Sequence, residues 1–503
     1  MKHSKGRISP GDLIAGLSVA LVAIPQALAY ADLAGMPPGL GLVAAALPPI
    51  AAAFLASSRY LQTGPVALTG LLTFSALASL GLEPKSEDWI RAASLLALMV
   101  GVIRLALGLL GAGAIAYLLS QPVLTGFTAA ASIIIIASQL PTAVGAETTS
   151  DGLFGRAFES FTVPWHSQAV MVAVITAVII LGVRRIHRLI PGVLLAGVIA
   201  IILGAAGIGG QPIGEVTASL PTLNLGFDWA SLPILLVPAA VVALVGFAEP
   251  ASIARTYAAM DRTSWSADRE FLAQGAANIT AGFTGAFPVG GSFSRTGVAR
   301  MAGATSRWAG GIAGLIVLGF LPFARILEDL PKAFLAAVVI IGVAPLVRPD
   351  RILTVGRSSR PQGLVALITF VGTLALNPRI DLGITVGIAA AVLIHLWREL
   401  HLQVGRDFEG ETVILRPKGV LFFASTPEME DRLVKLIAQH PEASRVVIDL
   451  SGLGRIDYTG AVALRALCED TTAAGLEVSL RGVPPQSTRL VNAVLGEFAP
   501  ESQ

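Results

Sequence analysis

The chain has 503 residues, 54% of them hydrophobic and only 14% charged, with a mean hydropathy of +0.74. Soluble proteins carry about a quarter charged residues, so this composition excludes a single globular core and points to a polytopic α-helical membrane protein. The net charge of +2 comes from basic residues scattered through loops, which leaves no basic patch for nucleic acid, and the lone cysteine, Cys468, excludes an internal disulfide.

The first element, "MKHSKGRISPGDLIAGLSVALVAIPQALAYA", has the basic start, apolar stretch and small residues of a signal peptide. A first transmembrane helix accounts for it better, because the segments that follow are membrane-like too. Inside it, Pro25, Gln26 and Tyr30 interrupt the apolar run. Gln26 can hydrogen-bond a substrate or a neighbouring helix, and both readings stand. Asp32 reads as an interfacial residue.

About fourteen apolar segments follow one another between residues 11 and 400, among them "AVMVAVITAVIILGV" and "PGVLLAGVIAIILGAAGIGG". Basic residues gather in alternate loops: Lys2, Lys5 and Arg7; Arg59; Arg184, Arg185 and Arg188; Arg255 and Arg262; Arg300 and Arg307; Arg348, Arg351, Arg357 and Arg360. The loops between them are poorer in Lys and Arg, and "GLEPKSEDW" and "GAETTSDGLFG" are acidic. The positive-inside rule then puts the N-terminal segment, residues 1–10, in the cytoplasm, and an even number of spans returns the C-terminus there.

Three of these segments carry features that a simple span would avoid. In "YLQTGPVALTGLL", residues 60–72, Gly64-Pro65 breaks the chain before a short helix, with Pro65 near its first turn, where its missing N–H costs nothing. In "VVALVGFAEPASIAR", Glu249 lies inside an apolar run, where a charge costs roughly 2.5–3.5 kcal/mol. A carboxyl group buried there can take up and release a proton, or it can pair with Arg295 as a structural ion pair.

The third is "FPVGGSFSRTGVAR", residues 287–300. Pro288 is expected to stop an arriving helix, Gly290-Gly291 to permit a tight reversal, and Ser292 to cap a new helix. Glycines can also serve only to let helices pack closely. The matched breaks in the two halves of the chain favour a binding site, because opposed half-helix N-termini present free N–H groups to an anion. Arg295 can attract that anion or neutralise Glu249.

Near residue 402 the apolar runs shorten and charges return. The pattern reads strand 412–423, helix 427–439, strand 445–450, helix 460–473, strand 476–482 and helix 486–496, a small α/β domain. The chain shows no Ser/His/Asp grouping, no phosphate-binding loop with lysine and no metal-ligand spacing among its six histidines, so no enzyme, metal or cofactor is expected.

The residues just described resemble the sulfate permease (SulP) anion transporters, kin of solute carrier family 26, over essentially the whole chain. The resemblance is carried by "AIPQALAYADLAGMPP", "TGPVAL", "GFAEP" and "ANITAGFTGAFPVGGSFSRT". The tail, through "SRVVIDLSGLGRIDYTGAVALRAL", resembles a STAS domain, with Tyr458 where phosphorylated relatives have serine. It implies fourteen spans in two inverted seven-span repeats, about 11–207 and about 230–400, divided into a core and a gate, within a transmembrane domain 11–400. A cytoplasmic STAS domain 405–503 follows.

It further implies a bacterial inner-membrane transporter, commonly dimeric, that moves sulfate, bicarbonate or dicarboxylates with H⁺ or Na⁺. By the same resemblance, Gln26, Tyr30, Val66, Ala67, Ser292, Phe293, Ser294 and Arg295 surround the substrate, and Glu249 serves coupling. Membrane lipid and a cytoplasmic regulator at the STAS domain are the other expected partners.

Overall fold

The computed structural model describes residues 8–498 except 118–119, 187–190, 217–219, 401 and 423–424. The basic residues 2–7, Arg188 and the expected strand end at residue 423 lie outside the described residues. The chain forms two compact units, Met1–Ala390 and Ala391–Gln503.

In chain order the first unit contains α1 (Pro10–Leu33), α2 (Pro38–Leu55), β1 (Gln62–Gly64), α3 (Ala67–Ala78), α4 (Glu87–Leu109), α5 (Gln121–Val144), α6 (Leu153–Glu159), α7 (Ser167–Ile186) and α8 (Gly192–Ala205). A second series follows: α9 (Leu232–Met260), α10 (Ala267–Phe283), β2 (Gly290–Ser292), α11 (Phe293–Met301), α12 (Trp308–Phe320), α13 (Lys332–Val343), α14 (Pro349–Ser358), α15 (Arg360–Ala375) and α16 (Ile380–Leu400). Among the described residues, eight helical stretches are long and apolar enough to cross a membrane, and α3, α7 and α8 are shorter apolar helices. With α10, α11 and α15 they make about fourteen spans among the described residues, in two matching series.

The spans sort into two bodies. Helices α1–α4 pack with α9–α12, and α5–α8 pack with α13–α15. Helix α16 lies against α15, where a Cβ on Gly387 would come 2.2 Å from Thr369 Oγ1. Small residues make these approaches possible, as is usual between membrane helices. A Cβ on Gly275 of α10 would sit 2.8 Å from Leu105 N of α4, and one on Gly41 of α2 only 2.1 Å from the Ala27 carbonyl oxygen of α1.

Polar side chains fasten the ends. The Ser9 hydroxyl accepts from Asp12 N–H at 3.2 Å, and the Asp12 carboxylate accepts from Ser9 N–H at 2.9 Å, a capping box that starts α1. The same carboxylate accepts from Thr305 N–H at 2.7 Å and Ser306 N–H at 2.9 Å, which ties α1 to the turn before α12. Across the two bodies, Ile380 N–H of α16 donates to Ser75 Oγ of α3 at 2.9 Å, and Ser75 Oγ donates to the buried Asp381 at 3.3 Å. Arg379 pairs with the other Asp381 oxygen at 3.2 Å.

Two short strands interrupt this helical unit. β1 and β2 pair antiparallel, with Gln62 opposite Ser292 and Gly64 opposite Gly290. Side chains from α4 and α10 hold them at membrane depth. Arg104, fully buried on α4, donates from Nη1 to the Val289 carbonyl at 3.0 Å, and from Nε and Nη2 to the Ala243 and Val242 carbonyls at 3.0 and 3.1 Å. Asn278 of α10 accepts from Val289 N–H at 2.9 Å and donates to its carbonyl at 3.0 Å. Gln274, one turn earlier, donates to Thr63 Oγ1 of β1 at 2.8 Å.

The second unit continues with β3 (Gln403–Glu409), β4 (Thr412–Leu421), α17 (Thr426–Gln439), β5 (Arg445–Asp449), β6 (Leu453–Ile456), α18 (Tyr458–Ala473), β7 (Glu477–Arg481) and α19 (Thr488–Leu495). Its sheet runs β3-β4-β5-β7, with β6 pairing β4; β3 is antiparallel to β4, and the other pairings are parallel. Val413, Ile448, Leu433, Leu464 and Val491 bring strands and helices into one core. The sequence pattern missed β3 and β6. The first is a polar edge strand folded back through Gly410 at φ +61°, and the second is four residues inside a glycine-containing loop. Helix α18 starts two residues earlier than expected, because Asp457 accepts from Gly460 N–H at 2.6 Å as its N-cap.

Two outcomes follow from these contacts. Arg104→Lys replaces a three-donor fork with one ammonium and leaves buried carbonyls unpaired, at about 1–3 kcal/mol each. Thermal unfolding of the purified protein should show a clear drop in melting temperature, and an unchanged melt would contradict this role. In the second unit, burial works to raise the Asp449 carboxyl, but its bonds from Ser451 and the Arg481 guanidinium outweigh that and hold it below the usual carboxylate range. A depressed carboxyl stabilises above its unfolded pKa and loses that contribution as pH falls through its folded value. Below about pH 4 the stability of this unit should therefore fall with acid, and Asp449→Asn should flatten that limb in pH-dependent hydrogen exchange.

Candidate functional site

The site begins with the strand pair. Because β1 and β2 run antiparallel, the helices that follow them, α3 and α11, leave in opposite directions with their N-termini close together. Each start presents N–H groups without intrahelical partners, and together they form a positive end of backbone dipoles. Ser292 caps α11, its Oγ accepting from Arg295 N–H at 3.3 Å, as the sequence suggested. Helix α3 has Val66 at its N-cap, with no side-chain cap.

Pro65 lies just before the N-cap of α3, near its first turn. Two local expectations need correction. Helix α10 ends at Phe283, before Pro288 is reached; Gly285, at φ +73°, terminates it, with Ala286 N–H bonded to the Ala281 carbonyl at 2.9 Å. Gly290-Gly291 forms β2 in place of a reversal. These glycines serve close approach: a Cβ on Gly291 would sit 2.7 Å from Leu61 Cδ1 and 3.1 Å from Pro250.

A cavity of about 790 Å³ opens over the two helix starts. Seven of the nine expected site residues line it: Tyr30 from α1, Val66 and Ala67 at the start of α3, Glu249 from α9, and Ser292, Phe293 and Ser294 at the start of α11. Glu249 lies against the backbone N–H of Phe293, the first of α11. Its carboxylate therefore occupies the same positive helix end that would hold an anion.

Gln26 and Arg295 do not line this cavity. Gln26 is buried one turn before Tyr30, and its Oε1 has no hydrogen-bond partner. Arg295, only 1% exposed, turns behind the helix starts, and its Nη1 and Nη2 likewise have no hydrogen-bond partner. It remains within electrostatic reach of Tyr30 and Glu249.

The structure adds a wall that the sequence reading left out. From the second body come Ser120 at the N-cap of α5 and Gln121, Thr128 and Ser132 within it, and Arg351 of α14 joins Arg255 of α9 on the lining. The signal was present as polar residues at 121, 125, 128 and 132, a helical spacing that puts them on one face of an otherwise apolar segment. Arg104 and Asn278 were missed because each looks like an isolated polar residue until the fold brings both to Val289.

Comparison with known proteins identifies the family. The sulfate permease family model matches residues 10–369, and the STAS domain model matches residues 406–497. A probable sulfate transporter of Mycobacterium tuberculosis is 30% identical over 495 residues, covering 90% of this chain and 87% of that protein. The chloroplastic sulfate transporter 4.1 of Arabidopsis thaliana is 29% identical, over 93% of this chain and 74% of its own.

Among solved structures, the murine anion transporter Slc26a9 in its inward-facing state superposes with a TM-score of 0.88 at 20% identity, over 98% of this chain and 88% of that one. The transmembrane domain of the cyanobacterial bicarbonate transporter BicA superposes with a TM-score of 0.64 at 23% identity, over 76% and 97%. These likenesses show the fold, with its paired series of spans. A polytopic chain with crossed half-helices under a half-polar cavity, matched by the family model over most of its length, belongs to the sulfate permease family of anion transporters and carries a C-terminal STAS domain.

Proposed function

We propose that this protein is a secondary active transporter of small anions, of the sulfate, bicarbonate or dicarboxylate class, coupled to protons. The observation that carries the reading is the pair of helix N-termini, at Ala67 and Phe293, meeting under one cavity with Glu249 against the second of them. Backbone N–H groups at helix ends bind anions without regard to their detailed shape, which suits an oxyanion. The relatives, named as sulfate and bicarbonate transporters, point the same way.

In this reading Tyr30, Val66, Ala67, Ser292, Phe293 and Ser294 surround the substrate, while Gln26 and Arg295 act from behind it. A charged Glu249 competes with the substrate for the α11 end. Protonation removes that competition and the local negative charge together, so proton and anion load as a pair, and loss of the proton expels the anion. The two helical bodies supply the moving parts. Displacing the body that holds α3 and α11 along the body that holds α5 and α13 would carry the site across the membrane, an elevator-type step. Sodium coupling is the alternative for the same carboxylate, and no further cofactor is required.

The location proposed is a bacterial inner membrane, with both termini and the STAS domain in the cytoplasm, as the loop charges indicate. A homodimer and a cytoplasmic regulator of the STAS domain complete the picture.

Glu249→Gln tests the coupling. In proteoliposomes with an inward proton gradient and sodium-free buffer, the wild type should accumulate an anion from a labelled sulfate, bicarbonate and fumarate panel against its gradient. The variant should lose about tenfold or more of that accumulation while still exchanging anions, since the helix ends remain. Undiminished uphill uptake by the variant would remove Glu249 from the mechanism. Uptake that only equilibrates in the wild type would favour an uncoupled exchanger or channel on the same scaffold.

A further inference from the structure

Behind the strand pair, on the side away from the substrate cavity, lies a second and much smaller space of about 10 Å³. Aliphatic side chains of α1, α2 and α12 form most of its wall, and its polar members are Gln62, Thr63 and Arg295. Arg295 and Gln62 are each 1% exposed. Both terminal nitrogens of the guanidinium, Nη1 and Nη2, have no hydrogen-bond partner. Gln62 donates its Nε2 to the Tyr60 carbonyl at 3.0 Å, which directs its Oε1 away from that bond and toward α12, where a Cβ on Gly310 would meet it at 3.3 Å.

A buried cation with unfilled donors is costly, by several kcal/mol unless something accepts from it. The space is close to the smallest that holds one water molecule, and a water there needs two to four polar partners. The guanidinium supplies donors, and Gln62 Oε1 supplies an acceptor for the water's own proton. Thr63 Oγ1 already accepts from Gln274, and its lone pairs and proton complete the set.

We infer that this space holds one ordered water molecule bridging the Arg295 guanidinium to Gln62, and that Gln62 is thereby a positioning residue for the positive charge behind the anion site. The inference rests on the function proposed above. Gln62 stands opposite Ser292 in the strand pair, and its N–H donates to Thr296 Oγ1 at 3.0 Å, so its backbone is locked to α11. A neutral amide at this position satisfies the guanidinium through water and leaves its charge in place. A carboxylate would pair with it and cancel the field that reaches the helix ends.

The test has two arms. In the first, KM and maximal rate for the transported anion are measured for wild type, Gln62→Glu and Gln62→Leu, together with melting temperature. Gln62→Glu should raise KM by about tenfold or more while keeping or raising the melting temperature, because the buried pair is stabilising but electrically neutral. Gln62→Leu, which removes the water's acceptor and frees the guanidinium to leave its place behind the helix starts, should lower the melting temperature and also raise KM by about threefold or more. A Gln62→Glu protein that folds and keeps the wild-type KM would overturn the positioning role, since a purely structural glutamine would move stability alone.

The second arm is a high-resolution structure of the full-length wild type, read for density about 3 Å from both Arg295 Nη and Gln62 Oε1. A peak there is expected; a dry space with the guanidinium otherwise bonded would overturn the inference. This arm decides the matter even if the variants fail to fold. Should the wild type transport no anion of the panel, the proposed function fails while the water site is judged on density.

Discussion

Everything near the cavity depends on three residues of β1 pairing with three of β2. A membrane interior offers no water to unpaired N–H and C=O groups, so backbone that leaves the helical path there must be satisfied by protein. The antiparallel pairing does this for the two breaks at once, each strand completing the other. It also fixes the relation between α3 and α11, whose starts can face one site only because the strands before them run in opposite senses. What the pairing leaves over is the N–H groups of those starts, and of these Phe293 N–H meets Glu249 and Arg295 N–H the Ser292 hydroxyl.

The polar residues buried around the pair follow from that requirement. Arg104 and Asn278 both bond to Val289, the residue that enters β2, and Gln274 bonds to Thr63 in β1. These side chains come from α4 and α10, which close glycine contacts bring together. The sequence thus uses small residues to bring helices near and amide or guanidinium groups to hold non-helical backbone, and neither device would serve without the other. Glu249 and Arg295 bring opposite charges to the same region from different sides, one on the cavity and one behind it.

The membrane class, the series of spans and the existence of two matched breaks were legible in the sequence, because apolar periodicity and Gly/Pro interruptions are local signals. Glu249 and the Ser292 cap were legible for the same reason. What each break would become was not. Pro288 and Gly290-Gly291 suggested a helix stop and a reversal, yet the chain forms a strand, since pairing with residues more than two hundred positions away outweighs local turn chemistry. Gln26 and Arg295 were expected near the substrate by resemblance, and neither lines the cavity, a matter of helix rotation that no local pattern reveals. The polar face of α5 was legible as a spacing, but the helix belongs to the other body, and only the fold brings that face to the site.

The bonds from Ser75 to Ile380 and Asp381 lie where α3 ends and α16 begins, while the cavity is lined by the start of α5, the second half of α9 and α14. Chain direction puts these on opposite membrane faces. The two faces are therefore unequally fastened. On the Ser75 face the bodies are joined by a buried amide bond and a carboxylate bond, at about 1–3 kcal/mol each, whereas the other face holds the cavity. The two bodies are thus joined firmly at one end of the site and parted by the cavity at the other.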